Sequence, residues 1–441
     1  TNNNGTLDPD EDVNGNGTLD LGDKRVIIYF DEVSGKSKAC YNTANWLGTC
    51  PDTPVDLHEV RFVWSAGEWL SDPGLDATEN RTDYLSSVKK RYIYTWNDLD
   101  NDGIVDRQVG DNEWLPFEAY TNWAALDVTA ALFPRNPVPV DFDVVTIPAA
   151  LPLPAATQTT LNKKVNDIVN WVRGNDRLLA TDLNGNTATT DDGEAARRSR
   201  QLPVTEGSAT MITARLGDVI HSTPMTVSSP AEGYHLIYND FSYAEFVKQY
   251  KNRRHVIYFG GNDGMLHAVN GGFYDEKQKK FCTGDTYDSN GLCQDDPTKP
   301  ALGAELWAYV PYNLLPHLGS LTQPDYKHKY FVDLRPRIFD AQIFAKDADH
   351  PNGWGTILVG GMRLGGAPIN AQELNGSGLV PNDSRQFISA YFIFDITNPE
   401  KPPVLLGEMT RRSGASGDTD LGHSLAIPTM VVMKKNGAAT Q

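Results

Sequence analysis

The stretch HVIYFGGNDGMLHAVN (255–270) leaves the chain few choices. It holds two apolar runs around Gly-Asn-Asp-Gly, and such a turn between strand-like runs is a strong hairpin signal. AELWAYVP (304–311) adds a third strand after a Cys-bounded insertion. About 100 residues later the same order returns as WGTILVGG (354–361), SAYFIFDIT (389–397) and PVLLGEM (403–409). Two copies of such a strand series predict β-propeller-like blades of the quinoprotein type, with Trp307, Tyr309 and Phe392 in an aromatic core. The second copy carries a long Gly-rich loop, GGMRLGGAPINAQELNGSG, where the first has a tight turn. LAIPTMVVM (425–433) is expected to start another strand. About two and a half blades fit after residue 216, fewer than the roughly four to eight that close a ring. Either the ring is unusually built or the chain is cut short on its C-terminal side.

The fold class expected is therefore mostly β: a partial propeller over 216–441, after a mixed α/β region over 25–215 and a loop segment over 1–24. The mixed region opens with strand-like runs, RVIIYF (25–30), VRFVWSAGEWL (60–70) and KRYIYTW (90–96). Pro and Ala then dominate 134–157, which reads as a linker. One helix is predicted next, because Leu161, Val165, Ile168, Val169 and Val172 share a face, with Thr160 to cap its start and Gly174 its end. A shorter helix is expected over 242–251.

Short Asp/Asn/Gly runs carry the chemistry. In Asp98-Leu-Asp100-Asn-Asp102-Gly-Ile104-Val-Asp106, acids stand at positions 1, 3, 5 and 9 of an EF-hand-like loop, Gly at 6 and a backbone carbonyl (Ile104) at 7. Val109 falls at position 12, so Asp106 must close that site. Residues 12–23 fit the full pattern, with Asp12, Asn14, Asn16, the Thr18 carbonyl, Asp20 and Asp23 as ligands. Hard oxygen donors in this alternation suit Ca2+, which also offsets the repulsion among the carboxylates. Asn2, Asn4, Thr6, Asp8 and Glu11 repeat the pattern twelve residues earlier, but its first ligand would stand at position 0. The pattern thus predicts that residue 1 is not the native start, and that any export signal lies upstream. A looser run, Asp182-Leu-Asn184-Gly-Asn186, lacks the Gly at position 6.

The four cysteines form two local pairs, Cys40 with Cys50 and Cys282 with Cys293, with neither zinc-finger, CxxC nor haem-attachment spacing. They are expected as disulfides, which implies an exported protein. No run of 18 apolar residues is present, so no transmembrane segment is expected in this chain. With 39 basic against 57 acidic side chains the net charge is −18, which argues against nucleic acid as a partner.

Three motifs fail on inspection. Gly422-His-Ser424-Leu-Ala426 lacks the last Gly of a nucleophile elbow and is followed by a Pro-containing apolar run rather than a helix. His221-Ser-Thr-Pro224 has no acid at a recognisable spacing and reads as the start of a strand. GGMRLGG has no helix after it to cradle a phosphate. No catalytic residue and no zinc site is expected.

LGDVIHSTP (216–224), VIYFGGNDGMLHAVN (256–270), ELWAYVP (305–311), HKYFVD (328–333) and WGTILVGGMRLGG (354–366) together resemble the propeller domain of the PilY family. WVRGND (171–176) and the elements at 64–70 and 91–95 resemble the segment before it. The likeness implies a non-enzymatic, calcium-binding factor at the tip of a type IV pilus, at the cell surface or outer membrane. It implies roles in pilus extension, adhesion and twitching motility, with minor and major pilins and host or abiotic surface ligands as partners. That family's best-known calcium loop lies within the propeller, whereas the loops here precede it, so the calcium assignment rests on spacing alone. The competing readings are an extracytoplasmic quinoprotein-like dehydrogenase, for which no cofactor-stacking set is evident, and a structural component of a surface filament.

Overall fold

A computed structural model describes residues 25–42, 53–57, 63–96, 114–118, 168–175, 198–204, 208–277, 280–375, 378–411 and 420–431, with a few isolated positions and two short strands near the C-terminus. The chain falls into two compact units, residues 1–65 with 272–296 and residues 66–271 with 297–441.

In the first unit Arg25–Asp31 pairs antiparallel with Lys36–Asn42, and Val55–Asp56 joins as a third strand. Gly35, at φ 66°, closes the turn and donates its N–H to Asp31 O at 2.8 Å. Such a φ is open to glycine at no steric cost. The second part of this unit is a loop held by the Cys282–Cys293 disulfide, with Cα atoms 6.1 Å apart. Asp275 fastens the loop by accepting from the N–H groups of Lys277 (2.8 Å) and Cys293 (2.7 Å).

The second unit is built on two open sheets. The first runs Met225–Val227, His255–Gly260, residues 266–271 of the strand Leu266–Asp275, Glu305–Val310, Ile93–Trp96, Trp114–Pro116. Its Ile93–Trp96 strand lies parallel to Glu305–Val310, with Tyr94 opposite Tyr309. The second is an antiparallel four-stranded series, Arg337–Gln342, Trp354–Gly361, Ala390–Asp395, Val404–Thr410. Every residue of Glu305–Val310 and of Trp354–Gly361 is buried, which is why both read as apolar runs rather than as alternating ones.

Aromatic rings join the two sheets. Trp307 and Phe394 lie 5.2 Å apart between ring centres, Tyr309 and Phe394 5.0 Å, Tyr309 and Phe392 5.6 Å. Trp307, Tyr309 and Phe392 are core residues, as the sequence predicts. Gly360 explains the Gly-Gly strand ending. It faces Phe392 in the ladder, and a Cβ there would stand 2.0 Å from that ring. One polar tie crosses the same interface: the buried Glu408 carboxylate accepts from Tyr309 Oη at 2.7 Å and from the N–H groups of Tyr312 and Asn313 at 3.1 Å each. Burial, and then the Glu408 charge, push the Tyr309 phenol well above its ordinary pKa.

The structure alters several local expectations. Residues 66–70 of the strand-like run 60–70 belong to a helix, Ala66–Ser71. The Gly-rich loop contains its own hairpin, Ile369–Asn375 with Gly378–Phe387. Residues 425–431 form no strand, with Leu425, Ile427 and Val431 exposed, and a short strand, Met433–Lys435, begins on the last residue of the run. Pro428 cannot donate to a ladder, and an apolar run without a paired neighbour stays irregular. The helix expected over 242–251 is Phe241–Tyr250, started by Asp240, whose carboxylate accepts from the N–H groups of Ser242 (2.8 Å) and Tyr243 (3.3 Å). Of the helix near 160–174, residues 168–173 are described as helical. Ile168, Val169 and Val172 are buried, and Gly174 has φ 118°. Thr160, Leu161 and Val165 lie outside the described residues.

Glu408→Ala leaves two buried N–H groups and a phenol without their acceptor. It is expected to cost about 3 kcal/mol or more, read as a lower urea midpoint. Glu408→Gln, which keeps one acceptor oxygen, is expected to cost less; equal loss in both variants would show that the acceptor role is not what stabilises the interface.

Candidate functional site

The signature segments, scattered over 150 residues of sequence, meet at the turn end of the first sheet. Gly217 N–H donates to Asp263 Oδ2 at 2.9 Å, and Asn262 N–H to Asp218 O at 3.1 Å. Asn262 Oδ1 accepts from Phe331 N–H at 3.0 Å, and Gly260 N–H donates to the buried Ser222 hydroxyl at 2.7 Å. Leu334 N–H reaches Gly361 O at 3.2 Å. Segments this close admit no side chain: a Cβ on Gly217 would stand 2.3 Å from Asp263 N, and one on Gly365 1.9 Å from Phe331 O.

Under the turn lies a buried set of four charges. Arg91 grips Glu305 with two bonds, Nε to Oε2 at 2.8 Å and Nη2 to Oε1 at 2.6 Å. His267 Nδ1 donates to Glu305 Oε1 at 2.9 Å and Nε2 to Asp263 Oδ2 at 3.1 Å. Burial opposes the imidazolium, yet Asp263 and Glu305 outweigh it and hold the His267 pKa up at about 9. Burial likewise opposes the Glu305 carboxylate, and Arg91 with His267 outweighs it, leaving Glu305 well below the usual carboxylate range. Two cations and two anions cancel, so the set is buried without net charge. Removing one member of such a set leaves an uncompensated charge, at a cost of about 3–5 kcal/mol.

Outside the turn, His221 Nδ1 lies 2.7 Å from Asp333 Oδ2, and His221 N–H donates to Asp333 Oδ1 at 3.1 Å. Arg363 Nη1 reaches the same carboxylate at 3.3 Å. The Tyr330 ring stands between two imidazoles, 5.4 Å from His221 and 5.3 Å from His328. His328 Nε2 in turn meets Asp218 Oδ2 at 2.8 Å. The acid partner of His221 is thus Asp333, 112 residues away, a separation that no local spacing can reveal.

Both motif serines are engaged in the packing around the turn. The Ser222 hydroxyl accepts from Gly260 N–H, and the Ser424 hydroxyl is fully buried. Ser424 Oγ accepts from the N–H groups of Met362 and Arg363, each at 3.0 Å, and bonds Ser389 Oγ at 2.7 Å. Its role is to pin the Gly-rich turn.

Of the residues singled out for calcium, Asp98, Asp100, Asp102, Ile104 and Asp106 lie outside the described residues, as do all those between Asn2 and Asp23. Val105, inside the 98–106 loop, is described and is buried. Among the described residues no three His, Cys, Asp or Glu side chains gather as a metal site. Cys282 and Cys293 are bonded to each other, Cys40 is disulfide-bonded, and Cys50 is outside the described residues. No described helix is long and apolar enough to cross a membrane.

Neither a known family model nor a solved structure matches the chain. Curated relatives do. A protein of Xylella fastidiosa named as a type IV pilus biogenesis factor PilY1 homolog is 27% identical over 284 residues. The type IV pilus biogenesis factor PilY1 of Pseudomonas aeruginosa strain PA14 is 25% identical over 224, and that of strain PAO1 28% over 221. The chain is similar to PilY1 proteins. The alignments cover 62%, 49% and 49% of this chain and 14% of each relative, so the chain spans a small part of their length.

His267 supplies a pH test of the PilY-type turn. Its folded pKa, about 9, lies above the ordinary 6.5, so its stabilisation is complete below 6.5 and is lost as pH rises through 9. The loss expected across that window is on the order of 3 kcal/mol by urea unfolding. His267→Gln should flatten the profile; an unchanged slope in that variant would show that another group titrates.

Proposed function

We propose that this chain is the portion of an exported PilY-type protein that supports type IV pilus biogenesis, with further roles in pilus extension, adhesion and twitching motility at the pilus tip. The observation that carries the reading is similarity to PilY1 proteins, and the segments that carry the resemblance pack into one continuous arrangement. Minor and major pilins are the proposed partners within the pilus, and host or abiotic surfaces the proposed ligands outside it. No catalytic step is assigned. Export is supported by the Cys282–Cys293 disulfide, since such bonds persist in oxidising compartments.

The propeller belongs to this proposal. The antiparallel series from Arg337 to Thr410 has the four strands of a blade, and it packs on its neighbour through aromatic rings as blades do. So does calcium. The 98–106 loop lies in the connection between Ile93–Trp96 and Trp114–Pro116, two strands paired with Trp96 opposite Trp114. The two strand ends that this connection joins are therefore held side by side by the sheet. A cation there lets the carboxylates converge and shortens the effective connection. With dissociation constants of about 10⁻⁴–10⁻³ M, usual for extracellular modules, tenfold excess calcium contributes roughly 1.4 kcal/mol.

Calorimetry at millimolar calcium is expected to show saturable binding, weakened by Asp102→Ala or Asp106→Ala. A flat titration of the unmutated chain removes the metal half of the proposal. Deleting the gene is expected to reduce pilus number, twitching or attachment, and a deletion strain that matches its parent in all three overturns the pilus half.

A further inference from the structure

In a chain with 39 basic and 57 acidic side chains, the stretch 325–337 (DYKHKYFVDLRPR) is an exception. It carries Lys327, Lys329, Arg335 and Arg337 against Asp325 and Asp333, and its turn sits beside His221 and Arg363. The geometry sorts these charges. Asp333 is buried, its side chain 1% exposed, and is occupied from within by His221, by Arg363 and by the His221 N–H. What reaches solvent is the hydrogen-bonding side, with side-chain exposures of 37% for the His221 imidazole and 31% for the Arg363 guanidinium. Two carboxylates are exposed in the same region, Asp218, which His328 engages, and Asp325.

Two arginines stand out in this region. Arg335 is exposed and lays Nε and Nη2 on the Met225 thioether at 3.3 and 3.2 Å. Sulfur is a weak acceptor, and among the described residues the polar contacts of this guanidinium go to that thioether. Its fork remains available. Arg363 has φ 55°, a left-handed backbone uncommon outside glycine, and its N–H is held by buried Ser424. Strain of this kind persists where the surroundings enforce it, and it gathers at binding sites. Tyr330 supplies a ring between the two imidazoles.

We infer that the face made by His221, Tyr330, Arg335 and Arg363 docks an acidic segment of a partner protein, one that presents several carboxylates on extended backbone. Guanidinium forks match carboxylates in pairs, which suits such a strand better than a single bound ion. The net charge of −18 does not forbid it, because at physiological salt charges beyond about 8 Å are screened. The same net charge disfavours a long polyphosphate or an anionic membrane, which would extend past the patch onto acidic surface. The inference holds for the chain itself, whichever assembly carries it, so its failure would leave the pilus reading untouched.

The test uses the purified chain and a fluorescein-labelled peptide of alternating Glu and Gly, with its Gln-Gly counterpart, read by anisotropy. Saturable binding of the Glu-Gly peptide below about 1 mM is expected, weakened as salt rises from about 0.05 to about 0.3 M. Arg335→Glu is expected to weaken it roughly tenfold, whereas Lys346→Glu, an equal charge change elsewhere, leaves it within about twofold. Lys327→Glu, on the exposed part of the stretch, gives a second reading if Arg335→Glu melts early. Equal binding of the Gln-Gly peptide, equal losses in Arg335→Glu and Lys346→Glu, or tighter binding to phosphatidylserine vesicles than to the peptide would each overturn the inference.

Discussion

Arg91, Glu305, His267 and Asp263 come from three strands and a turn, and they satisfy one another in a space that water does not reach. Asp263 also accepts from Gly217 N–H, and Asn262 beside it holds Phe331 N–H. The turn is thereby fixed from below by charge and from the sides by backbone bonds. Buried ion sets add little net stability over an apolar core, because desolvation offsets most of the attraction. What this one supplies is position: a turn with two carboxylate contacts to a buried imidazolium has one workable geometry, and the segments around it inherit that geometry.

The aromatic layer between the sheets depends on the same placement. Glu305–Val310 carries Glu305 toward the charge set at one end and Trp307 and Tyr309 into the layer farther along. Trp114 stacks on both Tyr94 and Tyr309, at 5.0 and 5.8 Å, so the edge strand of the first sheet is fixed by the same rings that meet the second. Rings of this size contribute largely through the area they bury, with a further ~0.5–1.5 kcal/mol per well-oriented pair.

What was legible in the sequence was local. The hairpin at 255–270, the strands after 304, 354, 389 and 403, and the helix at Phe241–Tyr250 are each written in adjacent residues, through a turn, a run of apolar side chains or a cap. The site was legible only as words in order. Arg91 and Glu305 are 214 positions apart and His221 and Asp333 112, so neither pair leaves a spacing to read. VWSAGEWL misled for a related reason. Its Trp and Val suggest a strand, but once Arg215 Nη1 takes the Leu70 carbonyl at 2.6 Å the segment is held as a helix end. That contact is 145 residues long in sequence and invisible to local propensity.

The distribution of charge follows from these same constraints. Two inward carboxylates are met by nitrogen donors of basic side chains: Glu305 by Arg91 and His267, Asp333 by His221 and Arg363. The two solutions differ in what they leave over. Around Glu305 every member is buried and the sum is zero, so nothing faces outward. Around Asp333 the carboxylate is buried while its partners His221 and Arg363 are partly exposed, and Arg335 adds a guanidinium turned to a thioether. The first arrangement can only hold a turn in place. The second has donors in reserve at the surface, and that asymmetry is what separates a packing device from a place where another molecule's carboxylates can be met.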